Sequence, residues 1–204
     1  MEDMSKASFT IAYDGPALRD HSMDVRTLAP ALMGFGQLID ATNAVLHKDS
    51  SQTKIHVKAL EAGSFQVSFE VIQSFYEQVV SLFSGPEASA AANLLGILGF
   101  SVKDGIIGTG ISVIFLIKWL RGRNPDNVKD LGSDMVRLQF GEEYYDIPLN
   151  TLRVLQSVPV RDALQKIIVD PLKQEGVEAF EVREKARTIL SVDRTEAVWF
   201  SKPE

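Results

Sequence analysis

Residues 88–121 constrain this chain more than any other stretch. Ala88 to Val102 carries no charge, Lys103-Asp104 interrupts, and Gly105 to Ile117 is again uncharged before Lys118, Trp119, Arg121 and Arg123. A helix needs about 20 consecutive apolar residues to cross a bilayer core, and each run falls short of that. At about 1.5 Å of rise per residue, the first run reaches only about 22 Å. A single continuous span would hold Lys103 and Asp104 near its middle, at a cost of about 2.5–3.5 kcal/mol each. The pattern therefore predicts two short apolar helices joined at Lys103-Asp104-Gly105.

Such a helical hairpin has three destinations. A helix that is apolar all round belongs in the interior of a protein. It can equally meet its counterpart in a homo-oligomer. Ala88, Ala92 and Gly96 stand four apart, as do Gly108 and Ser112, and this small-residue spacing permits close helix approach, with Leu98 and Ile114 as the larger contacts. Third, the hairpin can dip into a membrane as a re-entrant element. Trp119 would then sit at headgroup level, with Lys118, Arg121 and Arg123 beside it, where aromatic and snorkelling basic side chains are favoured.

Around this segment the periodicities switch between strand and helix. Ser8 to Tyr13 alternates as a strand and ends at Asp14-Gly15-Pro16. From Asp24, the expected N-cap, Val25, Leu28, Leu32, Phe35, Ile39, Thr42 and Leu46 form one helical stripe. Lys54 to Leu60 and Ser64 to Ile72 read as a β-hairpin around Glu61-Ala62-Gly63, and helical spacing resumes from Phe75 to Phe83. Arg121 to Asp134 is polar, with Gly122, Pro125 and Gly132, and reads as a linker. A second hairpin follows through Val136, Leu138, Phe140 and Tyr145, Ile147, Leu149. Asn150 caps a short helix to Gln156, and a longer one runs from Arg161 to about Gln174, with Pro171 as a kink and Gly176 as its stop. Val177 to Arg183 and Thr188 to Val192 form a last strand pair. Strands in hairpins separated by helices, without βαβ alternation, predict an α+β fold of antiparallel hairpins with packed helices and a central apolar helical hairpin. The expected organisation is an N-terminal lobe (1–84), the apolar hairpin (85–121), a polar linker (122–134) and a C-terminal lobe (135–204).

Composition excludes several function classes. With 204 residues, 21 Lys+Arg against 27 Asp+Glu and a net charge of −6, the chain lacks the basic footprint of a general nucleic-acid binder. It has no cysteine, so disulfides, thiol catalysis and thiolate zinc sites are excluded. The three histidines, His21, His47 and His56, fall in different elements without ligand spacing, so no metal site is expected. No nucleophile elbow, phosphate-binding loop or kinase signature is present, and Gly105, Gly108 and Gly110 stand in the wrong order for a dinucleotide fingerprint. Glu142, Glu143 and Asp146 crowd a turn tip, which does not hold a carboxylate pair in a cleft. No catalytic residue and no cofactor are expected. Lys118, Arg121 and Arg123 form a basic group able to grip a phosphate, of a nucleotide or a lipid headgroup. Tyr144, Tyr145 and Trp199 are candidates for an aromatic contact surface.

Several stretches together resemble a family of bacterial and prophage proteins of unknown function. They are Asp24-Val-Arg-Thr-Leu-Ala-Pro-Ala-Leu, Leu38-Ile39, Ala41 to Leu46, Ala62-Gly-Ser-Phe-Gln-Val, Pro171-Leu172 and Gly176-Val-Glu-Ala-Phe-Glu-Val-Arg, with the apolar middle and Lys-Trp-Leu-Arg-Gly-Arg between. The resemblance implies a phage–host or mobile-element setting and carries no activity with it. The expectation is a non-enzymatic interaction protein that self-associates through residues 88–121 and binds a defence component or a signalling molecule. The alternatives are a membrane-associated protein, and a nucleotide-binding protein or enzyme using the basic cluster. Met1 to Lys6 is polar and no targeting signal is visible, so the expected place is the cytoplasm, with any membrane contact made from that side.

Overall fold

The computed structural model describes residues 4–48, 51–58, 65–75, 90–101, 111–184 and 187–201. Helices and antiparallel sheets both contribute, as an α+β fold requires. A five-stranded antiparallel sheet has the order β2-β3-β1-β7-β8, with β1 at Met4–Asp14, β2 at Ser51–Val57, β3 at Phe65–Phe75, β7 at Ala179–Glu184 and β8 at Arg187–Asp193. A separate meander joins β4 (Asn127–Gly132), β5 (Met135–Phe140) and β6 (Glu143–Pro148).

One face of the large sheet is apolar because the strands alternate in register. Tyr13 stands opposite both Phe65 and Phe180, Ile11 opposite Val67 and Val182, and Phe9 opposite Phe69. The other face is polar, with Thr10 bonded to Ser68 at 3.0 Å, Lys58 paired to Glu70 and Arg183 paired to Glu181. Helix α1 (Val25–His47) covers the apolar face, and the Asp24 side chain caps it by accepting from the Arg26 N–H. Phe9 stacks on Phe69 at 4.9 Å and on Phe100 at 5.0 Å, and Phe35 of α1 reaches within 4.7 Å of Phe69.

The two apolar helices are α2 (Ala90–Leu98) and α3 (Val113–Leu120), and both pack into this interior. Leu94, Leu95, Leu98, Val113, Ile114 and Leu116 are fully buried. Burying a side chain of this size is favourable by about 1.5–3 kcal/mol, which explains why so apolar a segment turns inward. The Lys103-Asp104-Gly105 junction, Ala88 and Gly108 lie outside the described residues. Among the described residues no helix is long and apolar enough to cross a membrane.

Helix α4 (Leu149–Gln156) and helix α5 follow, α5 running from Val158–Leu164 through a π turn at Gln165–Val169 to Asp170–Leu172. A short α6 (Arg194–Ala197) passes into a 3-10 turn at Val198–Phe200. Helices α3 and α4 each serve two cores. Val113, Ile114, Ile117 and Val154 join the main one, while Leu116 and Leu152 pack with Val136, Leu138 and Ile147 of the small sheet.

Four sequence expectations need correction. Residues 127–132 of the expected linker form β4, an edge strand exposed along its whole length, so no buried stripe marks it. Phe75 belongs to β3, paired with Ser51, rather than to a helix, and 76–83 lies outside the described residues. Asn150 does not cap α4. The N-cap is Pro148, and Asn150 instead accepts from Arg153. The division into lobes at 84 and 135 does not divide the sheet, because β7 closes the second edge of β1.

Candidate functional site

Helix α3 separates two cavities. Its N-cap is Ser112, whose hydroxyl accepts from the Phe115 N–H at 3.2 Å, and its C-cap is Arg121 in the left-handed region at φ 52°. These caps fix which side chains each cavity receives.

The first cavity has a volume of about 520 Å³ and lies between α3, the end of α2, β8 and α6. Phe115, Lys118, Trp119 and Arg121 line it from the α3 side, and Leu190, Ser191, Glu196 and Trp199 face them. The Lys118 ammonium donates to the Ser191 carbonyl at 2.7 Å and pairs with Glu196 at 2.9 Å. Glu196 is also part of the capping box of α6, accepting from the Asp193 N–H. Lys118 thus ties α3 to the C-terminal elements, and its charge is matched. The Arg121 guanidinium makes no hydrogen bond among the described residues and is exposed at the cavity wall. The cavity therefore offers one unmatched cation beside two indoles. Trp119 is held by a 2.8 Å bond from its Nε1–H to Glu143 and by edge-on contact with Tyr145 at 5.0 Å.

The second cavity, of about 590 Å³, lies between α3, α4, α5 and the small sheet. Arg123 and Arg161 both line it, with Trp199 shared between the two cavities. The Arg123 guanidinium lies 3.8 Å from the centre of the Phe140 ring.

The basic residues singled out from the sequence are therefore divided, Lys118 and Arg121 to the first cavity and Arg123 to the second. Of the residues named for oligomer or membrane contact, Leu98 and Ile114 are enclosed by the chain's own core, and Ser112 is 2% exposed. Ala92, Gly96 and Trp119 keep part of their surface. The acidic turn resolves into structural partners, Glu143 for Trp119 and Asp146 for Arg137, whose two bonds at 2.6 and 2.8 Å hold the Asp146 carboxyl below the usual carboxylate range. His21, His47 and His56 lie on a turn, at the end of α1 and on β2. Among the described residues no group of three or more His, Cys, Asp or Glu is placed to hold a metal ion.

Sequence reasoning missed Glu196 and Arg161. Neither stands near the basic cluster in the chain, and only the return of β8 and α6 to α3 assembles the walls. No family model, curated protein or solved structure matches this chain.

Proposed function

We propose that this chain is a small-ligand binding protein whose first cavity takes a phosphorylated molecule with a flat apolar body, of the nucleotide type. The observation that carries the reading is the unengaged Arg121 guanidinium beside Trp119 and Trp199 in a cavity of about 520 Å³. Ligand pockets commonly fall at about 300–1,000 Å³, apolar in lining with a few placed polar groups. A guanidinium grips phosphate through paired N–H donors, and indole faces take flat rings. Lys118, matched by Glu196, orients the wall. The absence of a nucleophile or acid–base constellation from the sequence favours binding over turnover. The resemblance to bacterial and prophage proteins supports a setting in which the ligand is a signalling molecule.

The test uses tryptophan fluorescence, since both indoles line the cavity. Titration with a panel of mononucleotides and cyclic nucleotides is expected to give saturable quenching with at least one of them. Arg121→Glu is expected to abolish it. At a ligand concentration of about 100 times Kd, binding should add about 2.7 kcal/mol to stability. No saturable response across the panel, or an unchanged one in Arg121→Glu, overturns the reading.

Self-association is a second reading, favoured by aromatic side chains open to solvent next to the apolar hairpin. Phe115 is 38% exposed and meets Tyr145 edge-on at 5.4 Å. Light scattering of the wild type and of Phe115→Asp checks it. A defined oligomer that becomes a monomer supports this reading, and a wild-type monomer excludes it.

A further inference from the structure

The second cavity differs in kind from the first. Ile117, Leu138, Leu152 and Leu155 give it an aliphatic floor, Asn124, Gln156 and Trp199 line it too, and among the described residues no acidic side chain does, although the whole chain carries a net charge of −6. Its rim exposes Val128 (47%), Val158 (56%) and Val198 (64%), three large apolar side chains around one opening. Scattered exposed valines are ordinary, but three converging on one concave surface mark a contact site.

The polar end of the cavity is Arg161. Its Nη2 donates to the carbonyls of Trp199 and Ser201, at 2.9 and 3.1 Å, which fixes the guanidinium plane against the C-terminal turn. Its Nε is buried and has no hydrogen-bond partner among the described residues. That N–H is enclosed and closed to a ligand in the open cavity, so what Arg161 offers the cavity is the positive charge of its guanidinium. Arg123, the other cation in the lining, is already laid over Phe140 and bonded to the Leu120 carbonyl. It adds its positive potential to that of Arg161.

We propose that this cavity is a binding site for an aliphatic monocarboxylate, with the carboxylate on Arg161 and the hydrocarbon chain along the floor beneath Val128 and Val198. A fixed cation at one end matches one carboxylate, and the run of aliphatic side chains matches a flexible chain. The two sites share Trp199 but use different cations, so either reading can fail alone.

The test is isothermal titration of the full chain with decanoate below its micellar range, compared with decanol and acetate. Saturable one-to-one binding of decanoate is expected, with decanol and acetate each weaker by about tenfold or more. Arg161→Leu is expected to weaken decanoate by a similar factor. Because Arg161 also anchors the C-terminal turn, Val128→Glu provides the control, since it places a negative charge at an exposed rim position of β4. It should weaken decanoate comparably while leaving the circular dichroism spectrum unchanged. Arg121→Glu should leave decanoate binding as it is. Absence of saturable decanoate binding overturns the proposal, as does equal affinity for decanol or unchanged affinity in a folded Val128→Glu protein.

Discussion

At the scale of the residue, Tyr13 and Pro171 explain each other. In a regular helix the residue 171 N–H would bond the Ile167 carbonyl, and proline has none to give. The Tyr13 hydroxyl, from the middle of the sheet, donates to that carbonyl at 2.7 Å. Burial pushes the Tyr13 phenol well above its ordinary pKa, so it stays protonated and remains a donor at any working pH. Tyr13→Phe keeps the ring but leaves the carbonyl buried and unpaired. It should cost about 1–3 kcal/mol in urea denaturation. A loss below a few tenths would show that the carbonyl finds another donor. Asp193 offers a pH test of the same scale. Its carboxylate accepts from the Thr195 hydroxyl and from the Thr195 and Glu196 N–H groups, and these bonds hold its pKa below the usual value. The stability it lends is therefore fully present above the unfolded value of about 3.9 and is lost as pH falls through the lower folded value. Asp193→Asn should show a shallower fall in melting temperature below about pH 4 than the wild type. Asp20 and Asp146, also lowered, keep part of that fall in both proteins.

At the scale of the element, two glycines in α1 should respond with opposite signs. A Cβ at Gly34 would lie 3.1 Å from Ile167 Cγ1 and 3.2 Å from Lys166 Cβ, where α1 crosses the π turn of α5. At Gly36 the nearest atom is Ile55 Cγ2, at an ordinary 3.7 Å. Gly36→Ala should stabilise by about 0.5–1 kcal/mol through helix propensity alone. Gly34→Leu forces side-chain volume into a closed crossing and should cost about 1–3 kcal/mol or more. Equal effects in chemical denaturation would contradict the crossing. Legibility varies between elements for the same local reasons. The stripe of α1, the cap at Asp24 and the β2–β3 hairpin are readable because one face is buried and the other wet. Strand β4 is not, since every residue from Asn127 to Gly132 is exposed and only pairing with β5 makes it a strand. The apolar hairpin is readable as two helices, yet its sequence leaves core, interface and membrane open. The partners that settle its burial, Phe9, Phe35 and Phe69, come from distant strands and from α1.

At the scale of the whole molecule, the question is whether the two sheets unfold together. The pairing of β1 with β7 joins the two ends of the chain, and no local pattern announces it. The cavities share that origin: Trp119 and Arg121 sit in a conspicuous basic and aromatic run, but Glu196, Trp199 and Arg161 reach them only through the closed sheet. Trp199 packs against the main core and Trp119 against the small one, so each reports on a different sheet. Helix α3 gives Ile114 to one core and Leu116 to the other, and α4 divides Val154 and Leu152 likewise. Lys118 adds a link from α3 to α6. Unfolding the small sheet alone would strip Leu116 and Leu152 while leaving the opposite sides of the same short helices packed. Both helices are of 8 residues, too short to hold together without tertiary packing on either side. Separate opening is therefore disfavoured, and one cooperative transition is expected. Trp119→Phe and Trp199→Phe leave single reporters in opposite cores. Each variant's fluorescence midpoint in urea should coincide with its own circular dichroism midpoint. An earlier fluorescence transition in Trp199→Phe, where Trp119 is the reporter, would mean that the small sheet opens by itself and that α3 does not couple the two cavities.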